Sequence, residues 1–163
     1  MPSKTSKRAR RPAPAKSGAR VCSEAELAAF AEEWVPHIPP GTAVFLEGEL
    51  GAGKSTLARE FVRAFCGADT EFSGSPTYPL CIEYQTREGL RLAHMDFYRV
   101  KSLDELEERG LLEVIWDPRT RSLIEWGSLF PEVADQLRAK GRKTLHVSLE
   151  VDPDDPERRR IFV

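Results

Sequence analysis

Gly48-Glu49-Leu50-Gly51-Ala52-Gly53-Lys54-Ser55, followed by Thr56, fits G-x-x-x-x-G-K-[ST], the spelling of a phosphate-binding loop. The residue types follow from the chemistry. Glycines free the backbone to turn its N–H groups toward a polyphosphate with no Cβ in the way. A lysine at position 54 reaches the β- and γ-phosphates, and a serine at 55 offers a hydroxyl to Mg²⁺. The flanks supply the context the motif needs. Ala43-Val44-Phe45-Leu46 is an apolar run of strand type. Leu57, Phe61 and Phe65, with Ala58 and Val62 alongside, mark one face of a helix. Strand, glycine loop and helix predict a nucleoside triphosphate site, with Glu49, Leu50, Gly51, Ala52, Gly53, Lys54, Ser55 and Thr56 as its contacts. The helix N-terminus adds partial positive charge there.

Working outward, 163 residues suit one domain with a sizeable core. No apolar run approaches the roughly 18 residues of a membrane span, and no signal-peptide core is visible. A cytoplasmic protein is expected. Cys22, Cys66 and Cys81 are an odd set without metal-ligand spacing and read as reduced thiols. His37, His94 and His146 are too scattered to suggest structural zinc.

The formal net charge of -2 hides an asymmetry. Of the 24 Lys and Arg, seven lie in residues 1–20, where there is no acid; the other 17 face all 26 acids, so the body carries about -9. Residues 1–20 are expected to be a disordered basic tail, and 21–163 the folded domain. A solvated or processed extension suits that composition better than a basic arm drawn to RNA phosphates.

Ser23 with Glu26 spells a capping box that opens a helix through Leu27, Phe30, Ala31 and Trp34. Gly67 suits the stop of the helix after the loop. Leu80–Thr86 and Leu90–Phe97, joined by Arg87-Glu88-Gly89, predict a hairpin. Ser102 to Gly110 carries helix start and stop signals with an acidic outer face. Ser122 to Trp126 reads as a buried strand, and Leu129, Val133 and Leu137 as a helix closed by Gly141. Lys143–Val151 and Arg160–Val163 read as the last strands.

Binding becomes hydrolysis or transfer only when Mg²⁺ and an attacking group are held on the far side of the phosphates. Two carboxylates are placed for that work. Asp96 falls near the end of the strand Leu90–Phe97, and Glu125 ends the apolar pair Leu123-Ile124. An acid closing an apolar strand holds the metal's water shell or orients a water. Ser55, Asp96 and Glu125 are therefore the candidate metal-side groups, and which acid touches the metal stays open. Thr77, in Ser75-Pro76-Thr77, is either a γ-phosphate sensor or part of an ordinary turn. Trp126 taken alone reads as core. Arg99 could stabilise charge or pin a carboxylate. With no Asn in the chain, the Asn-Lys-x-Asp guanine-reading motif is absent. An Arg-rich kinase lid and the signature of transporter ATPases are missing as well.

In order, Gly48–Thr56, Ser75-Pro76-Thr77-Tyr78, His94-x-Asp96-x-Tyr98-Arg99, Glu105-Leu106 with Gly110, and Ile124-Glu125-Trp126 make the chain resemble the TsaE (YjeE) family over residues 23–163. The loop motif is unspecific; HxDxYR followed by IEW is highly specific. The resemblance implies a three-layer α/β P-loop domain whose central sheet is mostly parallel, mixed with antiparallel strands. It implies an ATPase that uses ATP and Mg²⁺ in making threonylcarbamoyladenosine beside the anticodon of tRNAs reading ANN codons. The expected partners are TsaD and TsaB, whose heterodimer carries out the transfer and is reset by ATP hydrolysis. Contact with tRNA would be indirect, through that complex. By the same resemblance Asp96 and Glu125 are the essential carboxylates, Thr77 belongs to a switch segment, and Trp126 joins the nucleotide site. The residues alone also admit a small P-loop metabolite kinase, or an adaptor gated by nucleotide without hydrolysis.

Overall fold

The structure, a computed structural model, describes residues 18–76 and 80–163. Among them seven strands form one sheet. They are β1 (Arg20–Ser23), β2 (Ala43–Glu47), β3 (Cys81–Gln85), β4 (Arg91–Asp96), β5 (Thr120–Glu125), β6 (Thr144–Val151) and β7 (Arg158–Phe162). Their spatial order is β1-β7-β6-β2-β5-β4-β3. The four central strands run parallel, and antiparallel partners close both flanks. Parallel strands buried on both faces must be apolar on both, and Ala43-Val44-Phe45-Leu46 is.

Period-two alternation sorts these strands' side chains into two cores. Val44, Leu46, Leu92 and Leu123 face α1 (Glu24–Trp34) and α2 (Lys54–Cys66), where they meet Leu27, Phe30, Leu57 and Phe61. Ala43, Phe45, Ala93, Met95 and Ile124 face the opposite layer: α3 (Leu103–Glu108), α4 (Leu111–Trp116) and α5 (Pro131–Ala139). The result is the expected three-layer α/β domain. Each fully buried side chain of this kind stabilises by about 1.5–3 kcal/mol, and Phe45, Phe61 and Leu57 are all at or below 1 % exposure.

The predicted elements are found, with four adjustments. The expected opening at Ser23 is preceded by β1, which starts at Arg20, the last residue assigned to the tail, and pairs with β7. Four residues on a sheet edge leave no readable periodicity. Gly110 does end α3, but its left-handed backbone at φ 71 turns the chain directly into α4, an element the stop signal concealed. Leu129 lies outside α5, in a 3-10 turn over Gly127–Leu129, and is exposed. The last strand starts at Arg158, two residues early. Residues 1–17 of the tail lie outside the described residues.

The capping box forms: the Ser23 N–H donates to the Glu26 carboxylate at 2.7 Å. Gly67 terminates α2. Cys22, Cys66 and Cys81 are free thiols. Burial pushes the Cys66 thiol up to about 11 and Cys81 up to about 12, so both are inert near neutrality. Among the described residues no helix is long and apolar enough to cross a membrane.

Candidate functional site

The glycine loop leaves the C-terminal end of β2 and runs straight into α2. Close approach dictates its first glycine: a Cβ on Gly48, at φ 145, would sit 2.5 Å from the Leu149 carbonyl oxygen of β6. Gly53, at φ 98, caps α2 in a left-handed conformation that other residues adopt at a cost. A Cβ on Gly51 would meet nothing within 4 Å, so the middle of the loop borders open space. Lys54 folds back beneath the loop. Its ammonium donates to the carbonyls of Gly48 at 2.9 Å and Glu49 at 2.8 Å and lies 4.1 Å from the Trp126 ring centroid. Burial pulls its pKa down; Glu125 and Asp96, followed by Glu47 and Glu49, push it back up. Partial desolvation strengthens the pull of this cation on a phosphate, while the nearby acids favour its charged form.

Strand parity brings the carboxylates to the same loop. Asp96 of β4 and Glu125 of β5 are direct register partners, and each has the parity of the residues facing α2. Glu125 is buried and doubly held. One oxygen accepts from the Ser55 hydroxyl at 2.9 Å, and the other lies 2.7 Å from Nε2 of the wholly buried His94. Phe72 stacks on the His94 ring at 5.5 Å between centroids. Asp96 accepts from the Ser75 hydroxyl at 2.5 Å and from the Tyr98 N–H at 2.8 Å. Thr77 lies outside the described residues, so that expectation has no structural counterpart here.

A cleft of about 470 Å³ joins these groups. Its walls include Leu50, Gly51, Gly53, Lys54, Ser55 and Thr56 from the loop side, with Asp96, Tyr98, Arg99, Glu125 and Trp126 opposite. Glu49 and Ala52 belong to the loop without lining the cleft; Ala52 is buried against the α1–α2 core. Trp126 meets the core reading of its sequence only in part, packing against the core beneath the α3–α5 layer while also lining the cleft. It is half-buried, packs on Tyr98 at 4.9 Å between ring centroids and faces Lys54. Its backbone is left-handed at φ 59, a conformation disfavoured for a bulky residue and often found at functional sites. Gly127 makes that corner possible, since a Cβ there would fall 2.2 Å from the Phe45 ring. Arg99 is exposed at the rim.

Three contributors carried no assigned role in the sequence. His94 and Ser75 stood inside quoted motifs, but only pairing of β4 with β5 shows that His94 reaches Glu125. Arg159 of β7 also lines the cleft. Its one sequence signal was the run Arg158-Arg159-Arg160, which by itself reads as a solvated strand. A fourth group, Glu47 at the end of β2, has its carboxyl pushed up by burial, with hydrogen bonds from Ser128 opposing.

The Ser55 hydroxyl and the two carboxylates offer hard oxygen donors toward the loop. Among the described residues no three His, Cys, Asp or Glu side chains gather as a metal cage. That fits Mg²⁺, which is commonly held by one or two protein oxygens together with phosphates and water.

A strand, glycine loop and helix at the centre of a three-layer sheet, with acids at the ends of two later strands facing the loop, define an α/β domain of the P-loop class. The family model for threonylcarbamoyl adenosine biosynthesis protein TsaE matches residues 21–161. The chain belongs to the TsaE family. Among its relatives, the tRNA threonylcarbamoyladenosine biosynthesis protein TsaE of Rickettsia bellii is 38% identical over 107 residues, covering 66% of this chain and 72% of that protein. The Bacillus subtilis protein of the same name is 35% identical over 119 residues, covering 73% and 72%. In fold, the chain resembles the crystal structure of Bacillus subtilis YdiB, with a TM-score of 0.55 at 24% identity, over 89% of this chain and 85% of that one.

Proposed function

We propose that this protein binds Mg²⁺-ATP in the loop cleft and hydrolyses it, as the ATPase component of tRNA threonylcarbamoyladenosine biosynthesis, acting on a TsaB–TsaD heterodimer in the cytoplasm. One observation carries the reading. The Ser55 hydroxyl, at the start of α2, bonds Glu125, 70 residues away at the end of β5. That contact joins the phosphate-binding segment to the acid side of the cleft, the arrangement that separates an NTP-hydrolysing site from a bare anion-binding loop.

The residues have separable tasks in this reading. Loop N–H groups and the α2 N-terminus bind phosphate oxygens, and Lys54 supplies positive charge. Mg²⁺, when bound, would be held by Ser55 with Glu125 or Asp96 and would neutralise charge on the phosphates. Glu125, fixed through both oxygens, orients whatever water or hydroxyl faces it. His94 and Ser75 keep the two acids in place. Trp126 and Tyr98 cover the lysine and limit water at the mouth. Among the described residues no glutamine is placed to position a water, and a metabolite kinase would need a lid that the sequence lacks, so slow hydrolysis by the isolated chain is expected.

The test measures ATP turnover by the full chain with and without a purified TsaB–TsaD heterodimer. Slow basal turnover, stimulated at least about tenfold by the heterodimer, is expected. The reading fails if the heterodimer neither binds nor stimulates, or if label from γ-phosphate accumulates on a small acceptor.

A further inference from the structure

Arg159 occupies a wall of the cleft for which neither the motifs nor the family description accounts. It has the strand parity of Ile161, which is buried in the α1–α2 core, so its side chain comes up on the face of the sheet that carries the glycine loop. There the guanidinium lies over the loop's end. Nε donates to the Ala52 carbonyl at 3.0 Å, and a Cβ built on Gly53 would come within 3.5 Å of the same nitrogen. One terminal nitrogen donates to the carbonyls of Pro156 at 2.7 Å and Arg158 at 2.9 Å.

The pattern differs from that of its neighbours. Arg158 pairs with Glu26, and Arg160 with Asp152 and Asp154. Among the described residues the bonds of Arg159 go to three main-chain carbonyls and to no carboxylate. Carbonyls orient a guanidinium without cancelling its charge. Three of its five N–H groups are used, which leaves the second terminal nitrogen with both of its donors. A cation fixed in direction, half-buried and not neutralised is prepared for an anion at low ordering cost.

Position identifies the anion. Lys54, Glu125 and Asp96 mark the β5–β4 side of the loop, where the terminal phosphate and metal belong. Arg159 arrives from the opposite side of β2, by way of β7. A nucleotide lying along the loop with its terminal phosphate among the acids has its α-phosphate on this side. We propose that Arg159 binds the α-phosphate of the nucleotide, as an affinity contact shared by ATP and ADP and not as a stabiliser of the reacting γ-phosphate. This rests on the nucleotide-binding reading above.

The experiment compares Arg159→Gln and Arg159→Lys with wild type in the full chain. Gln keeps an N–H that can still brace the Ala52 carbonyl but removes the charge. Kd is measured for ATP, for ADP and for the two α-phosphorothioate diastereomers of ADP, and kcat at saturating ATP. Arg159→Gln is expected to weaken ATP and ADP by the same factor, about 10–100-fold. It should erase most of the wild-type preference between the diastereomers and leave kcat within about twofold, while Arg159→Lys regains part of the affinity. A diastereomer preference that survives weakened binding would make Arg159 only a brace of the loop and overturn the proposal. So would unchanged affinities, or a loss confined to ATP or to kcat. Wild type is measured first: if it binds neither ATP nor ADP, the nucleotide reading itself falls. If it binds both and the variants match it, only the role of Arg159 falls.

Discussion

The two sides of β2 handle charge in opposite ways. Toward β5 and β4, Lys54, His94, Asp96 and Glu125 are buried, and Glu125 is bonded to Ser55 and His94 across long stretches of chain. Toward β7 and β1, charge is carried mostly by arginines paired at the surface, such as Arg158 with Glu26 and Arg20 with Glu33, with Arg159, which reaches the cleft, as the exception. Surface pairs contribute little and are screened by salt. Buried polar groups are costly unless every partner is in place, and even then an apolar core would often be more stable. A chain that keeps such a cluster has a use for it. Nδ1 of His94 has no partner among the described residues, which adds to the cost on that side. The difference separates an edge that closes a sheet from a site held ready for a charged ligand.

That contrast can be broken. The largest effect is expected from Glu125→Gln. Losing one anionic oxygen from the acid side should lower kcat for ATP hydrolysis by roughly 10²–10³-fold while nucleotide affinity changes little, a pattern read by steady-state kinetics beside equilibrium binding. Comparable turnover in the variant would mean that the buried cluster is structural.

A second, smaller effect concerns stability. Burial holds the Glu47 carboxyl above its ordinary value near 4.5. Between that value and its own raised one, the folded protein retains a proton that the unfolded chain has released, so stability falls as pH rises through the window. Glu47→Gln removes the ionisable group. Melts from pH 4 to 8 should then show a flatter decline above pH 4.5 and a higher Tm at the alkaline end; an unchanged slope would show that Glu47 does not couple folding to pH. The smallest effect belongs to the other flank. Arg158→Ala should move Tm by no more than about 3 °C, since an exposed pair is worth about 0–1 kcal/mol. A larger drop would show that the β7–β1 edge is not the inexpensive side.

The particular residues show why some features were legible and others were not. Gly48, Gly53 and Lys54 could be read because a phosphate loop is local: eight consecutive residues contain the whole device. The capping box at Ser23 and Glu26 is local in the same sense, and the alternation in β4 and β5 is carried by each strand separately. Strand β1 was missed because an edge strand of four residues owes its existence to β7, more than 130 positions later in the chain. The α4 helix was hidden because Gly110 serves as the end of one helix and the start of the next. Trp126 taken alone reads as core, and only the family resemblance placed it at the site, since nothing in Glu-Trp-Gly announces a left-handed corner that turns the ring toward Lys54.

Local spacing was enough to settle the loop, the strand before it, the helix after it and the presence of two acids at strand ends, because each depends on only a few neighbouring residues. The order of motifs in the sequence also pointed to the family. Tertiary structure alone decided that β4 and β5 lie side by side in the register that sets Asp96 beside Glu125. It also bonded Glu125 to both Ser55 and His94, and carried Arg159 from the far side of the sheet over the same loop. Those contacts join residues 31, 70 and 107 positions apart. Pairing over such distances is set by which strands share a sheet, and no local pattern encodes it.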